Sequence, residues 1–365
     1  MAHLSVGIIG LPNVGKSTLF NAVTRAGARV ASFPFCTVSP NVGIAPVSDP
    51  RLEELSQLIN PQKTSPATIE FVDVAGLVRG AHQGEGLGNE FLSRIRGVDA
   101  IVEVIRCFKG RQVAHPEGNV DPIRDVEIIE VELLLSDLKM VERRLTKMNK
   151  LVKFISREEE EKLALLEKAK DVLEKGDFPH EAFSKEEREK LSKEGFLTFK
   201  PLLYVANVEE ENIKSPSPLL CSLKDYALKR KIRLIEICAQ WEMELAELSQ
   251  EEAREFLEDL RMEEKGTDKL IREAYRLLDL ITFFTITGGK EVRAWPVKEG
   301  TTAVKAAGKV HSDMERGFIC AEVVPARSLL KAGSLRQARE EGMVRVEGRN
   351  YIVRDGDVIH FKFNV

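Results

Sequence analysis

The chain is 365 residues long, 43% hydrophobic and 31% charged, with a net charge of −4. That length predicts two or three domains, and the balanced composition excludes a disordered or disulfide-stapled chain. No apolar run approaches the roughly 18 residues of a membrane span and no basic stretch precedes the first apolar segment, so neither a membrane anchor nor a secretory signal is expected.

Leu4–Ile9 reads as a buried strand that runs straight into Gly10-Leu11-Pro12-Asn13-Val14-Gly15-Lys16-Ser17. The order is that of a phosphate-binding loop: glycine, four free positions, glycine, lysine, then a hydroxyl residue. The glycines let successive N–H groups converge on an anion. Lys16 brings a point charge to the β- and γ-phosphates, and the Ser17 hydroxyl is a ligand for Mg²⁺. A helix from Lys16 to about Arg25 aims its positive end at the same place. Asn13, Val14, Gly15, Lys16, Ser17 and Thr18 are therefore the expected phosphate-side set, and the chain is expected to bind a nucleoside triphosphate.

Next comes a proline-broken apolar loop, residues 31–37, which ends at Thr37. This threonine is the candidate switch residue that lends Mg²⁺ a second hydroxyl; Cys36 beside it is read as a buried, inert thiol. A helix at Pro50–Leu58 and a strand at Thr68–Val72 lead to Asp73-Val74-Ala75-Gly76. There the Asp73 carboxylate would hold the metal's water shell, and the Gly76 N–H would reach the γ-phosphate. Glycines 80, 84, 86 and 88 predict a mobile switch. Leu77 stands where Ras-like proteins place the water-orienting glutamine, so hydrolysis is slow or another group positions water. His82 and His115 are the nearby candidates.

After a helix at Asn89–Arg96 and a strand at Ala100–Ile105, the pattern changes. Leu134, Leu138, Val141, Leu145, Met148, Val152 and Ile155 recur at alternating spacings of four and three, a coiled-coil seam. Leu163, Leu166 and Leu173 fit a returning helix, with a short third helix behind it. Strand patterns resume at Leu202–Ala206 and Ile232–Ile237. Base recognition should follow the first of these, where guanine-binding proteins carry Asn-Lys-x-Asp. Here the chain reads Asn207-Val208-Glu209-Glu210, with no lysine and with the longer acid Glu210. A site that loses a polar partner discriminates against the ligand that needed it, so adenine becomes a plausible base. The backbone amides of Cys238, Ala239 and Gln240 form the second base-side loop. Acidic helices over 242–278 precede a last module of strands, a small-residue helix at Thr301–Ala307 and a hairpin-like end (343–353 and 358–365). Residues 280–365 hold fourteen basic against ten acidic side chains, a mild pull toward an anionic partner. Five dispersed cysteines fit reduced thiols in the cytoplasm.

The predicted fold is α/β: a Ras-like P-loop NTPase with a mostly parallel sheet, an inserted α-helical coiled-coil hairpin, and a C-terminal α+β module. The division is 1–125 and 199–279 for the NTPase, 126–198 for the insertion and 280–365 for the last module.

GLPNVGKST (10–18), FPFCT (33–37), DVAGLVRGAHQGEGLGN (73–89), VDPIRD (120–125), NVEE (207–210) and DVIHFKFNV (357–365) resemble the Obg-related YchF subfamily, the Obg-like ATPases of the translation-factor class. The likeness spans essentially the whole chain. It implies ATP preference, a coiled-coil insertion, a C-terminal β-grasp (TGS) domain, and a hydrophobic residue, here Leu77, in place of the catalytic glutamine. It further implies that His115 rather than His82 is catalytic, although Pro116 replaces the family's valine and stiffens the backbone beside it. Asn13 matches an asparagine associated with K⁺-assisted hydrolysis. The implied partner is the ribosome, its large subunit and RNA, with no DNA or membrane and with a monomeric chain. Lys139, Arg143, Lys147 and Lys150 on one helical stripe, and the cluster Lys229-Arg230-Lys231-x-Arg233, are the basic surfaces that could meet RNA. A GTPase switch and a nucleotide-gated adaptor with negligible turnover are the alternatives.

Overall fold

In the computed structural model the described residues are 4–30, 41–74, 87–110, 113–151, 156–176, 178–179 and 182–364. The first part of the chain gives β1 (Ser5–Ile9), α1 (Lys16–Val30), β2 (Val42–Pro46), α2 (Pro50–Ile59), β3 (Lys63–Ser65), β4 (Thr68–Asp73), α3 (Leu87–Gly97) and β5 (Ala100–Arg106). Three helices follow, α4 (Pro122–Leu151), α5 (Arg157–Glu174) and α6 (Lys185–Lys193). The sheet then resumes with β6 (Leu202–Asn207), α7 (Glu210–Lys214), α8 (Pro218–Lys229) and β7 (Arg233–Ile237). One six-stranded sheet has the order β2-β4-β1-β5-β6-β7, parallel except for the β2 edge. The strands β1, β5 and β6 are buried along their whole length and are mostly apolar, with the buried charges Glu103 and Arg106 as exceptions in β5. Because β1 lies between β4 and β5, the strand order reverses there. The loops after β1, β4, β5, β6 and β7 all open at one sheet edge, where α/β folds bind ligands.

The helical insertion leaves after β5 and returns to β6, its direct neighbour. Leu134, Leu138, Val141, Leu145 and Met148 of α4 pack with Leu166, Ala169 and Leu173 of α5 in a separate core. The short helix α6 adds Leu191 to this core. Val152 and Ile155, the end of the predicted seam, lie outside the described residues. The root of the arm is fixed by Asp137, whose buried carboxylate accepts from the N–H groups of Leu197 (3.0 Å) and Thr198 (2.8 Å) and from the Thr198 hydroxyl (2.8 Å). Burial pushes this carboxyl up to about 6.

Helices α9 (Ala239–Glu247), α10 (Gln250–Asp259) and α11 (Gly266–Leu277) lead into β8 (Leu280–Thr287), β9 (Glu291–Lys298), α12 (Ala303–Val310) and α13 (Ser312–Arg316). The chain ends with β10 (Phe318–Pro325), α14 (Ala326–Ala332), α15 (Leu335–Glu340), β11 (Arg345–Glu347) and β12 (Asp357–Phe363). Their sheet has the order β11-β10-β12-β8-β9-β3. The hairpin-like end is corrected by this order: β11 and β12 flank β10 and pair with it rather than with each other. The nine residues between them are too long for a tight turn, and Ile352 within them bridges Thr302 instead.

The sixth strand of this second sheet comes from the first part of the chain. β3 pairs parallel to β9, matching Lys63 to Glu291 and Ser65 to Arg293. Nearby, Arg51 donates to Asp49 and to Asp355, each at 2.7 Å, and its guanidinium lies 5.5 Å from the centre of the Phe284 ring. The join between the two sheets is thus hydrogen-bonded and charged as well as apolar.

Candidate functional site

Gly10 and Gly15 are forced by close approach. A Cβ on Gly10 would sit 2.6 Å from the Val104 carbonyl oxygen; on Gly15, at φ +90°, it would sit 2.2 Å from Asn207 Nδ2. No side chain fits either gap. Within the loop the Lys16 ammonium pairs with Asp73, and the Ser17 hydroxyl lies 3.4 Å from the other Asp73 oxygen. The structure therefore brings together three predicted residues from the ends of β1 and β4. A hydroxyl and a carboxylate at this point are hard oxygen donors suited to Mg²⁺. Thr37, Gly76, Leu77, His82 and Cys36 lie outside the described residues.

A cavity of about 700 Å³ extends from this loop. Asn13, Gly15 and Thr18 line one side; Asn207, Val208, Glu210, Cys238 and Ala239 line the other. Asn207 ties the walls together: its Nδ2 donates to the Val14 carbonyl (2.9 Å), and its Oδ1 accepts from the Ala239 N–H (3.1 Å). The first letter of the NVEE motif thus braces the phosphate loop from behind. Burial pushes the Cys238 thiol up, so it is a neutral wall rather than a nucleophile.

Glu209 and Glu210 both line the cavity. Glu209 also accepts from the N–H groups of Lys109 (3.0 Å) and Gly110 (3.3 Å), fixing the loop after β5. That loop is organised from below by Arg106, which is 1% exposed. Its guanidinium donates to the carbonyls of Phe108 (3.1 Å), Lys109 (3.1 Å) and Val113 (3.0 Å), and the Phe108 ring lies 4.4 Å away. Sequence reasoning missed both residues. The only available signal for Arg106 was a charge that ends a seven-residue buried strand.

His115 follows on the same loop and lines a neighbouring cavity of about 760 Å³ rather than the nucleotide cavity. Its Nε2 is 2.8 Å from Asp125 Oδ2 at the start of α4, and its Nδ1 accepts from the Glu117 N–H at 3.1 Å. Asn13 reaches the same loop, donating to the Ala114 carbonyl at 3.1 Å. Of the basic surfaces, Lys139, Arg143, Lys147 and Lys150 are exposed on α4. In the second cluster Arg230 pairs with Glu130 and Arg233 with Glu273, so two of its charges are already matched.

Comparison with known proteins resolves the identity of this arrangement. Residues 280–364 match the YchF-GTPase_C family model, described as a protein of unknown function, and residues 5–167 match MMR_HSR1, the 50S ribosome-binding GTPase model. The Ribosome-binding ATPase YchF of Bacillus subtilis is 50% identical over 99% of this chain and 100% of its own length. The chain belongs to the YchF family. A YchF of Haemophilus influenzae is 47% identical over 98% of this chain and 99% of its own. The YchF GTPase structure from Schizosaccharomyces pombe superposes with a TM-score of 0.89 at 34% identity, covering 99% of this chain and 98% of that one. The expected Ras-like P-loop fold with its helical insertion and C-terminal module is therefore the YchF architecture.

Proposed function

We propose that this protein is a ribosome-binding, Mg²⁺-dependent ATPase of the cytoplasm whose nucleotide state sets its affinity for the ribosome. The observation that carries the reading is full-length identity to relatives named ribosome-binding ATPases. Among the described residues no helix is long and apolar enough to cross a membrane. The base-side geometry supports ATP: the position of the usual lysine is Val208, Glu209 is occupied by loop amides, and Glu210 and Glu211 are the other acids lining the cavity.

Ser17 and Asp73, with Thr37, are the residues that would hold Mg²⁺, which when bound supplies positive charge against the β- and γ-phosphates. Lys16 would exchange Asp73 for those phosphates, while the amides of residues 13–18 cradle them. Asn207, Val208, Cys238 and Ala239 would hold the base, and Gly76 would donate to the γ-phosphate. His115 is the proposed catalytic residue, acting on the attacking water. Asn13 uses Nδ2 on Ala114, leaving Oδ1 as the oxygen a K⁺ ion would take. The large ribosomal subunit, met by a monomer through the α4 stripe, is the proposed partner.

The GTPase description of one family match and one solved relative favours a second reading. Titration with labelled ATP and GTP separates them: tighter ATP is expected, and tenfold tighter GTP would overturn the base assignment. Co-sedimentation with ribosomes in ATP, ADP or no nucleotide tests the partner; equal binding in all three would refute nucleotide control.

A further inference from the structure

The His115 ring is fully engaged where it stands. A backbone N–H can only donate, so the Glu117 amide fixes Nδ1 as an acceptor and places the ring proton on Nε2, where it is given to Asp125. The two side chains are 2% and 3% exposed. Neither nitrogen is left to orient or deprotonate a water, and His115 lines the cavity beside the nucleotide rather than the nucleotide cavity.

The acceptor itself is firmly built. Asp125 Oδ1 takes the Arg124 guanidinium at 2.9 and 3.2 Å, and Arg124 is in turn anchored on Asn119 at 2.7 Å to the side chain and 2.6 Å to the carbonyl. On the other flank, Asn13 of the phosphate loop holds the carbonyl of the residue just before the histidine. The histidine loop is therefore strung between a fixed carboxylate on α4 and a side chain of the nucleotide-binding loop.

We propose that Asp125 is a positioning residue that clasps His115 in a withdrawn pose, so that opening this clasp is part of every turnover and limits the basal rate. This rests on the reading of His115 as the group that acts on water. Asn13 provides the route of release: a triphosphate that draws its side chain toward the phosphates removes one of the two donors to the Ala114 carbonyl, leaving only the longer contact from Arg106 Nη1 at 3.4 Å, and so slackens the loop. The slow basal hydrolysis expected from Leu77 acquires a second cause, a ring that spends most of its time elsewhere.

Asp125→Asn keeps the shape of the acceptor and removes the charge that strengthens its hydrogen bond. Steady-state hydrolysis over a range of ATP concentrations at saturating Mg²⁺ would compare wild type, Asp125→Asn, His115→Ala and the double variant. The expected result is a rise of roughly threefold to tenfold in kcat for Asp125→Asn, with KM changed less than twofold. That gain should vanish in the double variant, which falls to the His115→Ala rate; a merely structural Asp125 would give no gain to lose. If His115→Ala matches wild type, the catalytic reading of the histidine fails and the clasp has nothing to control. If His115→Ala is slow but Asp125→Asn is no faster than wild type, the clasp alone is refuted. Nitrogen NMR of the wild-type imidazole removes dependence on how the variants fold: a neutral ring protonated at Nε2 is expected, and the other tautomer or a charged ring would overturn the proposal.

Discussion

The two ends of the nucleotide cavity are built in opposite ways. The phosphate end is one contiguous loop, residues 10–18, completed by Asp73 from the adjacent strand. The base end gathers loops after β5, β6 and β7, separated by as much as 130 residues of chain and joined by Arg106, Asn207 and Glu209. A contiguous loop carries its own geometry wherever the strand and helix are set. A composite wall exists only when the whole sheet is assembled, so its binding and its stability are one property.

Substitutions can break or sharpen that contrast. Lys16→Ala should weaken ATP·Mg²⁺ binding about a hundredfold, about 3 kcal/mol, while circular dichroism and the melting temperature stay close to wild type. A large loss of stability there would make the phosphate end less autonomous than claimed. Asn207→Ala should act on both properties. It leaves the Val14 carbonyl and the Ala239 N–H unpaired, at a cost of about 2–3 kcal/mol of folding stability, and calorimetry should show weaker nucleotide binding as well. If only the melting temperature moves, Asn207 braces the walls without shaping the site.

The arm root is the control region, away from both ends. Burial raises the Asp137 carboxyl to about 6 from its usual 3.8. The folded protein therefore keeps a proton that the unfolded chain has lost, so this contribution is full below about pH 4 and declines as pH rises through about 6. Denaturation at pH 4.5 and 6.5 should show a decline of about 1–3 kcal/mol assignable to this group, flattened in Asp137→Asn, with the ratio of ATP to GTP affinity unchanged. The smallest effect is expected for Glu209→Gln. Exchanging a charged acceptor for a neutral one on two loop amides costs about 1 kcal/mol and should show as faster hydrogen exchange at Lys109 and Gly110. Unaltered exchange would mean that Arg106 alone holds the loop.

How much of this was legible in the sequence follows the same division. The phosphate loop, Asp73, the alternation of strands and helices, and the α4 seam from Leu134 to Met148 are local patterns, and each appears where its spacing put it. Asn207 was singled out for the base, yet its contacts are to Val14 and Ala239; a motif names a residue more readily than it names the residue's partner. Asp125 stood within VDPIRD without a role, because its partner His115 lies across a loop whose path no periodicity encodes. Arg106 gave less still, since a guanidinium satisfied by backbone carbonyls has no complementary acid to betray it. The hairpin misreading has the same root: two short strands near the end of the chain resemble partners until a third, Phe318–Pro325, takes both.

The strand Lys63–Ser65 belongs to the C-terminal sheet although it lies between α2 and β4 in the chain. A fragment beginning at Leu280 would leave the backbone of β9 bare along one side, inviting edge-to-edge association. The complementary fragment would keep a three-residue strand with nothing to pair against. Cutting the molecule at the seam its sequence suggests therefore yields one sticky piece and one frayed piece, and the last 86 residues are best regarded as a lobe finished by a loan from the other end of the chain.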